Sequence, residues 1–202
     1  MRRGKRTFDL ACGVLGLGVG APIFLAVAAL VFLADGRPVF FRQERVGLHG
    51  RTLWMWKFRS MRTGSDRKGA LLTVGDDPRV TRVGRWLRRF KLDELPQLLN
   101  VIAGDMSIVG PRPEVGRYVR LYSTAQRRVL DLVPGITDPA SIRYRDESAL
   151  LGTAGDPEQL YVAEILPEKI RLNLEYAERA TVCTDLALVL RTLGALFPRS
   201  GR

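Results

Sequence analysis

"LACGVLGLGVGAPIFLAVAALVFLA", residues 10–34, contains no charged or strongly polar side chain. As a helix it would be about 37 Å long at about 1.5 Å per residue, enough to cross a bilayer. A secretory signal is one rival reading, with "MRRGKR" as its basic start and "AVA" at 26–28 as its cleavage site. The run outlasts the usual apolar core of about 7–15 residues and continues straight past that site. Gly13, Gly16, Gly18 and Gly20 imitate a dinucleotide-binding loop, but no strand precedes them. They read better as small residues inside a membrane helix.

The flanks bear on topology. Arg2, Arg3, Lys5 and Arg6 precede the run, and Arg37, Arg42 and Arg45 follow it. Positive charge prefers the cytoplasmic side, so a straight crossing would strand one basic flank outside. Pro22, at the middle, deletes a backbone hydrogen bond and favours a kink. The combination predicts a re-entrant helix-break-helix hairpin that enters and leaves by one face. A kinked spanning helix is the alternative.

The 202-residue chain carries a formal net charge of +11, with a pI near 10.4. That balance favours an anionic partner: nucleic acid, an anionic membrane or a phosphorylated substrate. The two cysteines, Cys12 in the apolar run and Cys183 in a late helical segment, suggest neither a disulfide framework nor a zinc site. The single histidine, His49, reads as a solvated turn residue, so Ser-His-Asp chemistry is excluded.

After the run, Val39–Phe41 and Leu53–Phe58 read as a hairpin with "GLHG" as its turn. "TGSDRKGALLTVGDD" reads as a mobile loop. "DPRVTRVGRWLRRF" is expected to start a helix capped by Asp77, with Pro78 at its first position. Its arginines could lie on an anionic membrane or form a solvated face over an apolar stripe. "IVGPRPE" and "LVPGITDPA" read as rigid loops. "PEQLYVAEILPEKIRLNLEYAERA" reads as helix with a break at Pro167, and "TDLALVLRTLGALF" as an apolar helix too short to span.

Between them lies "LDELPQLLN", which places Asp93 and Glu94 side by side after six basic residues from Arg79 to Lys91. Asp93 is expected to cap a helix and stay ionised there. Adjacent carboxylates can divide the labour, one attacking phosphorus and the other holding a hard cation on phosphate oxygens. Taken alone, the pair is equally a cap beside a surface acid.

Residues 86–113, "WLRRFKLDELPQLLNVIAGDMSIVGPRP", closely resemble the signature of the bacterial sugar transferase family. These monotopic phosphoglycosyl transferases move a sugar-1-phosphate from a UDP-sugar to a polyprenyl phosphate. "KRTFDL", "PVFFRQERVG", "KFRSMR", "DPRVTRVGRWLRR" and "PGIT" resemble further family motifs, in family order. The short chain resembles the minimal catalytic form.

The resemblance implies Asp93 as nucleophile of a covalent phosphosugar intermediate that releases UMP. It implies Glu94, with Asp93 beside it, as the Mg²⁺ site, and Arg112 as a phosphate clamp. Arg88 would be a second charge, with Lys57, Arg59 and Arg145 as weaker phosphate or nucleotide contacts, and Pro22 as the membrane break. The expected fold is α/β, mixed but mostly helical. Residues 1–36 form the basic flank and re-entrant hairpin. Residues 37–202 form a cytosolic, membrane-associated catalytic domain with a small β-hairpin and amphipathic interfacial helices.

The expected location is the bacterial cytoplasmic membrane, with the catalytic domain facing the cytoplasm. Partners would be the UDP-sugar, polyprenyl phosphate, membrane lipid and downstream glycosyltransferases, and not nucleic acid; a homo-oligomer stays open. Three departures stand out. Ala21 replaces a common Ser, Lys91 a common Ser or Thr, and "DPASIRYRDE" follows "PGIT" where many members continue with Gly and an aromatic. A non-enzymatic, membrane-anchored basic module binding anionic lipid or nucleic acid would also explain the charge and the apolar run. It leaves "LDELPQL" and "VGPRP" without a reason, and Trp54, Trp56 and Trp86 read as apolar-patterned rather than as a stacking platform.

Overall fold

A computed structural model describes residues 4–65 and 72–196. Arg2 and Arg3 of the basic flank, residues 66–71 of the expected loop and Phe197 lie outside that set.

The apolar run forms one helix, α1, Lys5–Asp35, with Pro22 inside it and helical residues on both sides. The expected hairpin is thus not displayed as two elements. The helix is long and apolar enough to cross a membrane, with mean hydropathy 2.5 in a window only 11% buried. Val19 and Leu33 are 80% and 81% exposed. An apolar face this bare is built for lipid, not for a water-filled surface.

The other face of α1 is fastened at both ends. Lys5 donates to the Val109 carbonyl at 2.9 Å and to Asp185 at 2.8 Å. Arg6 donates to the Val101 and Ile102 carbonyls. Buried Asp9 accepts from Ser107 Oγ and Ile108 N–H, both at 2.9 Å. At the far end Arg59 donates to the carbonyls of Asp35 and Gly36, and Thr81 donates its hydroxyl to the Asp35 carboxylate at 2.8 Å. Lys5 and Arg6, read from sequence as topology charges, are consumed inside the fold.

Strands β1, Phe40–Val46, and β2, Thr52–Phe58, pair antiparallel around the turn Leu48–Gly50, where exposed His49 sits at φ 55°. β1 runs past Phe41 because its burial alternates, so Arg42 and Glu44 remain compatible with a half-exposed strand. Arg42 lies over the Trp56 ring at 4.6 Å. Trp54 and Trp86, read from sequence as apolar-patterned positions, are 47% and 48% exposed.

The basic helix α2 is Arg82–Arg89, and its cap is Thr81, whose hydroxyl accepts from Gly84 N–H at 2.9 Å. The expected start at Asp77 is corrected: its carboxylate is taken by the backbone and guanidinium of Arg79 in a local turn. Leu87 and Phe58 are wholly buried with Val27 and Val31 of α1. Burial of each side chain stabilises the fold by about 1.5–3 kcal/mol. Helix α3, Gln97–Ala103, packs beneath α1. A methyl at Gly13 would meet Ile102 at 3.1 Å and one at Gly16 would meet Leu98 at 3.2 Å, so these two glycines set the close approach.

The two Pro/Gly loops turn out to hold strands. β3, Ser107–Val109, and β4, Gly135–Thr137, pair in parallel. Side chains at Gly110 or Gly135 would strike the opposing backbone at 2.3 and 2.1 Å, which explains the glycines that looked like loop signals. The expected break at Pro167 is a π-helical turn, Tyr161–Ile165, leading into the helix Leu166–Arg179. Proline's missing N–H is absorbed there without ending the helix. The last helix, Val182–Leu196, buries Leu188 and leaves Leu186, Leu190 and Leu193 about half exposed.

Candidate active site

Asp93 and Glu94 lie in the single turn Leu92–Glu94, between α2 and α3. Lys91, at φ 55°, swings the chain out of α2. A left-handed non-glycine residue costs about 1–2 kcal/mol, so the surrounding packing must hold it there. Pro96, not Asp93, is the cap position of α3, and the expectation of a capping Asp93 is corrected.

Asp93 is instead 4% exposed, and its Oδ1 has no hydrogen-bond partner. Burial, and then the neighbouring Glu94 charge, push its carboxyl above the usual carboxylate range, while Lys57, Arg88 and Lys91 pull it back. Because Asp93 is not the cap of α3, the helix terminus expected to stabilise its charge is not the group that faces it. A dry carboxylate with a free oxygen is poorly solvated, which raises its nucleophilicity when ionised.

Glu94 is its opposite. Arg112 Nη1 donates to Oε2 at 2.9 Å and Nη2 to Oε1, while Lys57 Nζ stands 3.4 Å from Oε1. Burial alone would raise its pKa, but Arg112 and Lys57 outweigh it and hold the carboxyl well below the usual range. Burial pulls Lys57 down to about 8 against the attraction of Glu94. Arg112 is lifted above its usual value because Glu94 outweighs desolvation.

Three supports fix this geometry. Asn100 donates to the Trp54 carbonyl at 2.8 Å and accepts from Trp56 N–H at 3.0 Å, so α3 grips β2 and sets Lys57 against Glu94. Asp138 accepts from Arg112 N–H at 2.9 Å and from Ser141 N–H at 2.6 Å, capping the helix Pro139–Arg143. The divergent "DPASIRYRDE" thus begins with the residue that anchors the arginine loop. Arg88 Nε donates to Ser60 Oγ at 3.0 Å and Nη1 to Thr73 Oγ1 at 3.2 Å, and its charge reaches Asp93.

Two further expected residues make no bond to the acid pair among the described residues. Arg59 spends its guanidinium on the end of α1 and on Thr63. Arg145 is half-buried, and among the described residues no hydrogen bond or ion pair joins it to the acid pair. Gln97 was missed: it is fully buried, and both amide atoms lack partners. It follows Asp93 by four positions within "LDELPQL" and is the first residue of α3.

Among the described residues no cluster of three or more His, Cys, Asp or Glu could cage a metal. A Mg²⁺ that rides on a diphosphate and keeps its waters needs only one or two carboxylates. The unpartnered oxygen of Asp93 and the carboxylate of Glu94 supply that number. Those two carboxylates are the groups that would hold such an ion, Glu94 only once Arg112 releases it.

Comparison with known proteins gives the same direction. The pattern of the family described as bacterial sugar transferase matches residues 1–199. An uncharacterized sugar transferase of Bacillus subtilis is 46% identical over 142 residues, 70% of this chain and 69% of that protein. UDP-glucose:undecaprenyl-phosphate glucose-1-phosphate transferases are similar too. That of Escherichia coli is 36% identical over 94% of this chain, and that of Caulobacter vibrioides 35% over 96%. The chain spans 39% of the E. coli protein and 69% of the Caulobacter one.

Proposed function

We propose, for a chain that belongs to the bacterial sugar transferase family, that it moves a sugar-1-phosphate from a UDP-sugar to a polyprenyl phosphate at the cytoplasmic membrane face. The reaction runs in two displacements through Asp93. An Asp93 carboxylate oxygen attacks the sugar-bearing phosphorus. The bond to the bridging oxygen breaks, and UMP leaves with that electron pair. An oxygen of the polyprenyl phosphate then attacks the same phosphorus, and the Asp93 carboxylate departs unchanged. The observation that carries this reading is the contrast within the acid pair. Asp93 is buried with a free oxygen, while Glu94 is held by Arg112 and Lys57.

Attack of one anion on another needs charge compensation. Arg112 supplies a planar fork that can pass from Glu94 to a phosphate, and Arg88 and Lys57 add charge on either side. Glu94 and Asp93 would hold Mg²⁺, which when bound neutralises diphosphate charge. The undecaprenyl chain is the expected acceptor, and polysaccharide or another glycoconjugate the expected pathway. The membrane arrangement follows from α1. Both its ends are tied to one folded body, Lys5 to Asp185 and Asp35 to Thr81. A crossing with the folded body on one side of the bilayer would have to break one of these ties. We therefore read the chain as monotopic, and Pro22, which lacks the backbone N–H, is the position where α1 would bend on entering the bilayer.

The test is intact mass after incubation with UDP-sugar and no acceptor. A phosphosugar adduct that is absent from Asp93→Asn is expected, with parallel initial-rate lines. No adduct together with intersecting lines means direct attack by the lipid phosphate, and Asp93 becomes a base or metal ligand.

A further inference from the structure

We propose that the polar cavity adjoining Arg112 is the subsite for the sugar ring of the donor, an inference that rests on the transferase reading above. The cavity measures about 110 Å³ and is walled by Arg45, Arg112, Glu114, Glu147, Tyr161 and Lys169 among others. One water needs roughly 10–15 Å³ of such space, so several hydroxyl groups fit. Arg112 belongs to both places: its side chain lines the cavity and its guanidinium holds Glu94. A group joined directly to the reacting phosphorus would therefore enter here.

The chemistry of the wall selects the occupant. Arg45 pairs with Glu114 at 3.2 Å, Lys169 with Glu147 at 2.8 Å, and the Tyr161 hydroxyl donates to Glu114. With Arg112 engaged by Glu94 or by the reacting phosphate, the remaining wall charges balance as two pairs. A second phosphate would find no surplus cation, while a neutral polyol would find carboxylate acceptors and cationic donors together. Arg45 Nε is buried without a partner, a donor that such a hydroxyl would satisfy. A uracil would want a bare aromatic face. The Tyr161 ring is instead covered by Lys169 at 5.3 Å and by Tyr118 at 5.0 Å. Sites built to bond hydroxyls discriminate strongly among epimers, because a misplaced hydroxyl leaves buried groups unpaired.

The test uses the full chain in nanodiscs with undecaprenyl phosphate. UMP release is measured with UDP-glucose, UDP-galactose and their 2-acetamido counterparts. Glu147→Gln and Lys169→Gln are each expected to change the kcat/KM ratio between the best and second-best donors at least tenfold. The inhibition constant of UDP should stay within twofold. The double variant leaves no unpaired charge in the wall and keeps the test decisive if a single variant misfolds, which thermal unfolding reports. Donor ratios unchanged in the double variant overturn the proposal. So does a UDP inhibition constant that weakens in step with every donor, which would place the nucleoside here. Wild-type protein that releases no UMP from any donor overturns the transferase reading itself, and the sugar subsite with it.

Discussion

Arg112 and Glu94 face each other as two forks, with Nη1 at 2.9 Å from Oε2 and Nη2 on Oε1. Lysine at position 112 would keep one charge but lose the second bond. Arg112→Lys is expected to lower kcat/KM at least about tenfold, equivalent to roughly 1.4 kcal/mol. Steady-state kinetics with saturating acceptor checks it. Rates near wild type would reduce Arg112 to a structural partner of Glu94.

Asn100 is the clamp between α3 and β2. Asn100→Leu keeps the volume and leaves the Trp54 carbonyl and the Trp56 N–H without their present partner. The expected cost is about 1–3 kcal/mol for each buried group left unsatisfied. Activity should fall further than stability, because Lys57 lies one residue beyond Trp56 and loses its register with Glu94. Denaturant unfolding measured beside turnover separates the two effects.

The ties at both ends of α1 predict a single-sided topology. After Cys12 and Cys183 are replaced, cysteines at Arg2 and Arg42 should resist an impermeant maleimide in intact cells and react once the membrane is opened. Labelling of either flank in intact cells rules the arrangement out. Pro22→Ala restores a backbone hydrogen bond and should move the helix towards crossing.

Alkaline stability follows from the tyrosine cluster. Burial lifts Tyr118 to about 12, and raises Tyr122 and Tyr161 as well, with Glu114 adding to it. In the unfolded chain these phenols ionise near pH 10. Above that pH the unfolded state binds fewer protons than the native one, so stability falls as pH rises. The tyrosine contribution is fully present below about pH 10 and is lost progressively from there upward, while Lys57, pulled down to about 8, works in the opposite sense until its unfolded value of about 10.4 is passed. Unfolding midpoints should decline from about pH 10.5 to about pH 11.5, and Tyr122→Phe should flatten the decline. A flat profile in the wild type would count against buried neutral phenols.

Some of this was readable along the chain. The apolar length of residues 10–34, the "GLHG" turn between two stretches rich in β-branched and aromatic residues, and the helices after residue 157 are local patterns, and each emerged as an element. The acid pair was legible only through its neighbours in "LDELPQL" and "VGPRP". Errors arose where two local signals competed. Asp77-Pro78 looked like a helix start, but Arg79 claims the carboxylate and Thr81 caps α2. Glycines 110 and 135 looked like loop residues, but they let two short strands touch.

The sequence by itself determined what each segment could be: an apolar helix for lipid, a hairpin, a basic helix and a carboxylate pair beside it. Tertiary structure alone decided which charges meet. Lys5 finds Asp185, Asp9 finds Ser107, Arg45 finds Glu114 and Glu94 finds Arg112. No periodicity links positions so far apart. Only the packing of α1, β2 and α3 around the two short strands brings them within reach, and the same packing withdraws Asp93 from water while Glu94 keeps its cations.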